Sequence, residues 1–164
     1  MTHGEDEKMK EEMQHVVGKT MRDTFEGMFG WPVQSAAGRP ALPLDAPVRS
    51  HVLLRESEAV SVDVVLDFDH RLLSLAGAKI YPEDMQGSPE MYADMAAEIA
   101  NIVAGGIKAY LNNSGHSLRM VSEAEAPPPT SGTPSVDVSF QYDNGGTPKP
   151  LGIVVRVNLK DFSA

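Results

Sequence analysis

Hydrophobic positions recur along the chain with two different periods. Between residues 5 and 28, Met9, Met13, Val16, Val17, Met21, Phe25 and Met28 repeat at helical spacing, the pattern of one buried helical face. From 59 to 68 the period drops to two. Val60, Val62, Val64, Leu66 and Phe68 alternate with Ser61, Asp63, Val65 and Asp67, which predicts a half-buried strand. The preceding stretch "VRSHVLLRES" (48–57) predicts a second strand, with Glu56–Glu58 as the turn between the two. "HRLLSLAGAKIY" (70–81) predicts a short helix, and "PEDMQG" a loop. Ser88 and Pro89 then open a long helix: Ser can accept from an exposed N-terminal amide, and Pro fits the first helical position. That helix is expected to reach about Leu111 and stop at "NNSG".

The remainder is strand-rich. "HSLRMVS" (116–122), "SVDVSFQYD" (135–143) and "LGIVVRVNL" (151–159) each predict a strand, the last two forming a hairpin through "NGGTPKP". Two segments rich in Gly and Pro, 30–47 and 123–134, read as connectors. The order helix, two strands, helix, long helix, three strands predicts an α+β fold, a mainly antiparallel sheet covered by helices. At 164 residues the expectation is one domain spanning 1–164.

Composition narrows the function classes. A formal net charge of −9 argues against nucleic acid, whose phosphates demand clustered Lys and Arg. No apolar run is long enough for a transmembrane helix. The charged N-terminus "MTHGEDEKMKEEMQH" lacks the apolar centre of a signal peptide, so a cytoplasmic protein is expected. The chain has no cysteine and hence no thiolate chemistry. The five histidines form no HExxH or related ligand spacing. "DFDH" (67–70) reads as a strand end followed by a helix cap at Asp69. No serine sits in a G-x-S-x-G elbow, and "AGG" and "NGG" lack the spacing and the Lys of a P-loop. "GEDEK" reads as a solvated helix start, and Trp31 as a packing anchor where the first helix ends.

The stretch "DMAAEIANIVAGG" (94–106) is what remains. At about 100° per residue, Met95, Ile99, Ile102, Val103 and Tyr110 form one face, expected to pack on the sheet. Asp94, Glu98, Asn101, Gly105 and Lys108 form the other, with Ala97 and Ala104 beside them. Residues three and four apart are neighbours on a helix, so Asp94, Glu98 and Asn101 make a ridge. Small residues keep the surface around it low, and Gly105 costs roughly 1 kcal/mol of helix stability relative to Ala. Close approach of another backbone would account for that cost. The spacing fits a solvated or internally packed face as well as a partner's landing surface.

The spacing Asp94, Glu98, Asn101 resembles the (D/S)-x-x-x-E-x-x-N signature of the CheC/CheX/FliY chemotaxis phosphatases. Gly105 stands in the place of the glycine that follows it in the CheX branch, while Gly106 departs from the Asn common there. The order of elements resembles that family over most of the chain. A single motif copy is similar to the CheX type, which implies a CheC-like fold and a homodimer formed through the sheets. The resemblance implies a phosphatase acting on a phosphorylated CheY-like response regulator. Asn101 would orient the attacking water and Glu98 would pair with the regulator's active-site lysine. Asp94, Ala97, Ala104 and Gly105 would contact the partner, with Asp94 alternatively hydrogen-bonding nearby or complementing the helix dipole. Magnesium would be held by the regulator, so no cofactor or metal site of its own is implied. A non-catalytic adaptor on the same fold, like flagellar switch domains, is the alternative.

Overall fold

The computed structural model describes residues 3–35, 44–122, 135–142 and 151–160. Helix α1 (His3–Phe29) is followed by strands β1 (Gln34–Ser35), β2 (Val48–Arg55) and β3 (Ser61–Phe68). Helix α2 (His70–Ile80), a single 3-10 turn at Glu83–Met85 and helix α3 (Pro89–Asn113) come next. Strands β4 (Arg119–Met120), β5 (Ser135–Tyr142) and β6 (Leu151–Lys160) complete the order. The strands form one six-stranded sheet in the order β1-β5-β6-β3-β2-β4, and every neighbouring pair is antiparallel. The fold is therefore α+β with a long central helix, as the patterning predicts.

Register explains the alternation. Val64 of β3 lies between Val52 of β2 and Val157 of β6, and Val136 of β5 faces Val157 in turn. These side chains share one face and merge with the buried residues of all three helices into one hydrophobic cluster. Met13, Val17, Met21 and Phe25 of α1 are wholly buried in it, so the methionine stripe is core. The opposite sheet face carries cross-strand pairs: Arg49 with Asp67 at 2.8 Å, Arg156 with Asp137 at 3.0 Å and His51 with Asp63 at 2.6 Å.

The caps behave as the sequence predicts. Ser88 accepts from the Met91 amide at 3.1 Å to open α3. Asp69 caps α2 by accepting from the Arg71 amide at 3.0 Å. Burial pushes the Asp69 carboxyl up, but hydrogen bonds from Arg71 and the Asp45 amide, with the Arg71 charge, hold it below the ordinary carboxylate range. Its contribution is thus complete above the unfolded carboxylate pKa and is lost as pH falls through the lowered folded value. Trp31 anchors the end of α1, stacked on Tyr142 at 4.5 Å between ring centroids, with the Lys79 ammonium 5.3 Å from its ring centre.

Two elements differ from expectation. The connector after α1 contains β1, which pairs Gln34 with Gln141 and Ser35 with Phe140; two exposed residues carry no alternation to detect. The strand expected over 116–122 shrinks to Arg119–Met120, because side chains hold the backbone before it. Asn112 clasps Leu118 through both its amide and its carbonyl, at 2.7 and 3.1 Å, and Glu56 accepts from the Ser117 amide. The loop expected at 123–134 and the hairpin connector before Leu151 lie outside the described residues.

Helix α3 packs on β2, β3 and both other helices. A Cβ on Gly106 would lie 2.6 Å from Thr20 Oγ1 and 2.9 Å from Thr20 Cγ2, on α1. A Cβ on Gly77 of α2 would lie 2.5 Å from Met91 Sδ, and Met91 is itself fully buried. Neither crossing has room for a Cβ unless the Thr20 or Met91 side chain moves. Gly105 does not face such a contact: its nearest neighbour would be the Met120 methyl at 3.9 Å.

Adjacent glycines should thus respond oppositely to alanine. Gly105→Ala gains helix propensity with no clash and should stabilise by about 0.5–1 kcal/mol. Gly106→Ala gains the same propensity but overpacks against a β-branched neighbour, a net loss of about 1–2 kcal/mol. Urea denaturation followed by circular dichroism would measure both. Adding Thr20→Ala should recover most of the Gly106→Ala loss; no recovery would mean the crossing is not what limits it.

Candidate functional site

The buried face of α3 consists of Met91, Met95, Ala96, Ile99, Ala100, Val103, Ala104, Ile107 and Leu111. Its centre lies about 60° from the centre expected from the large apolar residues alone, at about 100° per residue. Small side chains explain the difference. Ala96, Ala100 and Ala104 are all buried and let the helix lie close to its neighbours, rolling that edge inward. Two expectations are corrected. Ala104, expected in the landing surface, is fully buried and cannot touch a partner. Ile102, expected on the sheet side, is 42% exposed beside the ridge.

The structure places Asp94, Glu98 and Asn101 together on the exposed face of α3. Ala97 and Gly105 are half-buried alongside. The three polar residues differ in what they touch. Asp94 accepts a hydrogen bond from the Tyr81 hydroxyl. That bond, with burial and the charges of Asp94 and Glu98, pushes the Tyr81 phenol up to about 12. The phenol is consequently a neutral donor at any ordinary pH. Among the described residues, the Glu98 and Asn101 side chains make no hydrogen bond or ion pair.

Asn101 also lines a groove of about 500 Å³ between α3 and the sheet edge, with Ser50, His51, Val52, Met120 and Val121. Four large apolar side chains are exposed among the described residues: Ile80, Met85, Ile102 and Met120. Ile102 follows Asn101 directly, and the Met120 methyl reaches Gly105. The ridge thus presents an acid and an amide without side-chain partners among the described residues, beside exposed apolar side chains. Such an arrangement suits docking of a protein surface, with apolar contact around a polar centre. Sequence periodicity does not single out Tyr81 or Met120, because each reaches α3 only through the tertiary packing.

Among the described residues no group of three or more His, Cys, Asp or Glu side chains could hold a metal ion. None of the described helices is long and apolar enough to cross a membrane.

Solved proteins share this architecture. Chemotaxis protein CheX from Vibrio vulnificus superposes with a TM-score of 0.67 at 16% identity, covering 91% of this chain and 97% of that one. A chain of the CheX–CheY–BeF3–Mg2+ complex from Borrelia burgdorferi gives 0.60 at 17% identity, covering 90% and 97%. A chain of the FliM–SpeE complex from H. pylori gives 0.59 at 9% identity, covering 97% and 90%. No family sequence model and no curated protein sequence matches the chain. The fold is of the CheC/CheX type.

Residues kept for function rather than stability should be removable without unfolding. Glu98→Ala and Asn101→Ala are each expected to change the unfolding free energy by no more than about 0.5 kcal/mol, since neither side chain has a partner to lose. Ala104→Glu, which places a charge in the core, should cost about 3 kcal/mol or more. Thermal and urea melts of the three variants measure this; a large loss in Asn101→Ala would make it a packing residue.

Proposed function

We propose that this chain is a CheX-type phosphatase that accelerates loss of the aspartyl phosphate from a CheY-like response regulator. The observation that carries the proposal is the pair Glu98 and Asn101, exposed and unpartnered on one face of a rigid helix in a CheC/CheX-type fold. Hydrolysis of an acyl phosphate needs a water held in line with the phosphorus. Little else must come from the protein, because catalysis of phosphoryl transfer is mostly positioning and charge stabilisation. A carboxamide offers two donors and an acceptor without a net charge, so Asn101 can orient that water without repelling the phosphoryl group.

Glu98 has the complementary task. Its carboxylate receives the lysine of the regulator's active site, a charge-assisted contact that fixes how far Asn101 enters. Magnesium belongs to the regulator in this reading, and the chain supplies no cofactor. Ala97 and Gly105 leave room for the regulator's loops, and Ile102 and Met120 provide apolar contact around them. The protein acts in the cytoplasm, where response regulators work, and as a homodimer associated through its sheets.

The FliM–SpeE neighbour favours a second reading, a switch-like adaptor that binds a regulator without hydrolysing its phosphate. The two diverge in one assay, phosphate release from phosphorylated CheY-like regulators of the same genome. Under the phosphatase reading the wild type accelerates release, and Asn101→Ala lowers kcat by about a hundredfold or more, as loss of a positioned catalytic group does. Glu98→Ala should act mainly on KM. Full activity in Asn101→Ala would overturn the mechanism. Tight binding with no release by the wild type would favour the adaptor.

A further inference from the structure

We propose that Tyr81 is a positioning residue of the α3 ridge: its hydroxyl engages Asp94, so that Glu98 alone of the two acids is left to receive a partner's cation. The proposal rests on the reading of α3 as a regulator-docking surface, and it gives Asp94 a role turned inward instead of toward the partner.

The phenol has little freedom to be elsewhere. Tyr81 caps α2, its amide donating to the Gly77 carbonyl at 2.8 Å. Its own carbonyl accepts from the Gln86 side chain at 3.2 Å, and Pro82 follows. The ring packs against the hydrophobic core. Helix α2 is seated on α3 by the Gly77–Met91 contact and by a hydrogen bond between Ser74 and the Tyr92 hydroxyl at 2.6 Å. From this fixed platform the Tyr81 hydroxyl crosses to α3 and donates to Asp94.

Asp94 and Glu98 occupy neighbouring turns of one helical face. Like charges at that spacing repel, and without a local partner either acid could capture an incoming lysine. Capture by Asp94 would leave Asn101 one turn too far along the helix to reach the same centre. A neutral donor resolves this without cancelling charge. The Tyr81 hydroxyl occupies Asp94 but leaves both negative charges in place, so the ridge still attracts a cation over a distance. A lysine at position 81 would hold Asp94 equally well and would erase that field. The raised phenol pKa, to which both Asp94 and Glu98 contribute, is consistent with a neutral donor set between two acids.

The test uses the full chain and a CheY-like regulator held active with beryllium fluoride and Mg2+, for affinity, alongside phosphate release from the phosphorylated regulator. Tyr81→Phe keeps the ring and removes the hydroxyl; it should weaken Kd about fivefold, the size of one hydrogen bond's net contribution, while kcat stays within about twofold. Asp94→Ala removes the competing acid and should stay within about twofold of wild type, and adding it to Tyr81→Phe should restore the affinity that variant loses, because the two act as one unit. Asp94→Asn, which also removes the competing charge, should bind like Asp94→Ala. Ring-carbon NMR, with the resonance assigned by its loss in Tyr81→Phe, should find the phenol protonated at pH 11 in wild type and ionising nearer pH 10 in Asp94→Ala.

A Kd unchanged in Tyr81→Phe overturns the proposal, as does full additivity in the double variant. A mere strut between α2 and α3 would lower unfolding stability and leave Kd untouched, which also overturns it. Wild type that binds the regulator without accelerating release would defeat the phosphatase reading while the affinity series still decides the role of Tyr81. Binding to no regulator of the genome overturns both.

Discussion

The close approaches of Gly106 to Thr20 and of Gly77 to Met91, with Ala96, Ala100 and Ala104 buried between them, set the roll of α3 about its own axis. Everything the exposed face can do follows from that roll. Rotating the helix by one residue, about 100°, would bury Glu98 or Asn101 and expose part of the core. Burying an unpaired carboxylate would cost several kcal/mol, and exposing leucine-sized side chains would cost about 1.5–3 kcal/mol each. The surface and the core are therefore two consequences of one packing solution. The price is helix propensity given up at two adjacent glycines, only one of which, Gly106, the internal packing demands.

That asymmetry bears on how much was legible beforehand. The periods of two and 3.6 identified the main strands and all three helices, because burial of one face is what those periods record. The Ser88 and Asp69 caps were legible for a similar reason, since each satisfies a local orphan amide. Side-chain size misled at α3: the large residues Met95, Ile99 and Ile102 suggested one centre for the buried face, and the alanines moved it. Ala104 therefore went inward and Ile102 outward. The short β1 and the truncated β4 depend on tertiary partners, Gln141 for one and the Asn112 clasp for the other, and leave no periodic trace. The ridge itself was legible as a spacing. The donor that engages Asp94 was not, because Tyr81 caps the end of another helix.

The two sides of the molecule handle charge differently. On the sheet face away from the helices, Arg49, Asp67, Arg156 and Asp137 are matched across neighbouring strands. Exposed pairs of that kind add little stability, and each of these four charges has its partner within the sheet. On α3 the pattern reverses. Among the described residues Glu98 and Asn101 have no side-chain match, while Asp94 is matched by an uncharged donor. A chain of net charge −9 could have carried its acidity anywhere. Leaving it unmatched on a surface flanked by exposed Ile and Met sets that surface apart as a place for contact.

Fold by itself does not choose between catalysis and adaptor binding, since the same architecture appears in CheX and in a FliM–SpeE complex, and functions are grafted on folds by their side chains. The choice rests on whether the exposed face carries a group able to hold a water. A rigid helix suits that demand better than a loop, because a reacting water misplaced by about 1 Å can cost a hundredfold in rate. Both neighbours of α3 are held by contacts that tolerate no added methyl without adjustment, and its first turn is capped. The amide at position 101 is therefore carried on a support with few alternative placements. For an adaptor such stiffness would be superfluous, because affinity can be assembled from side chains that adapt after contact. The combination of a rigid seat, a free acid and a free amide is what tilts the balance toward catalysis.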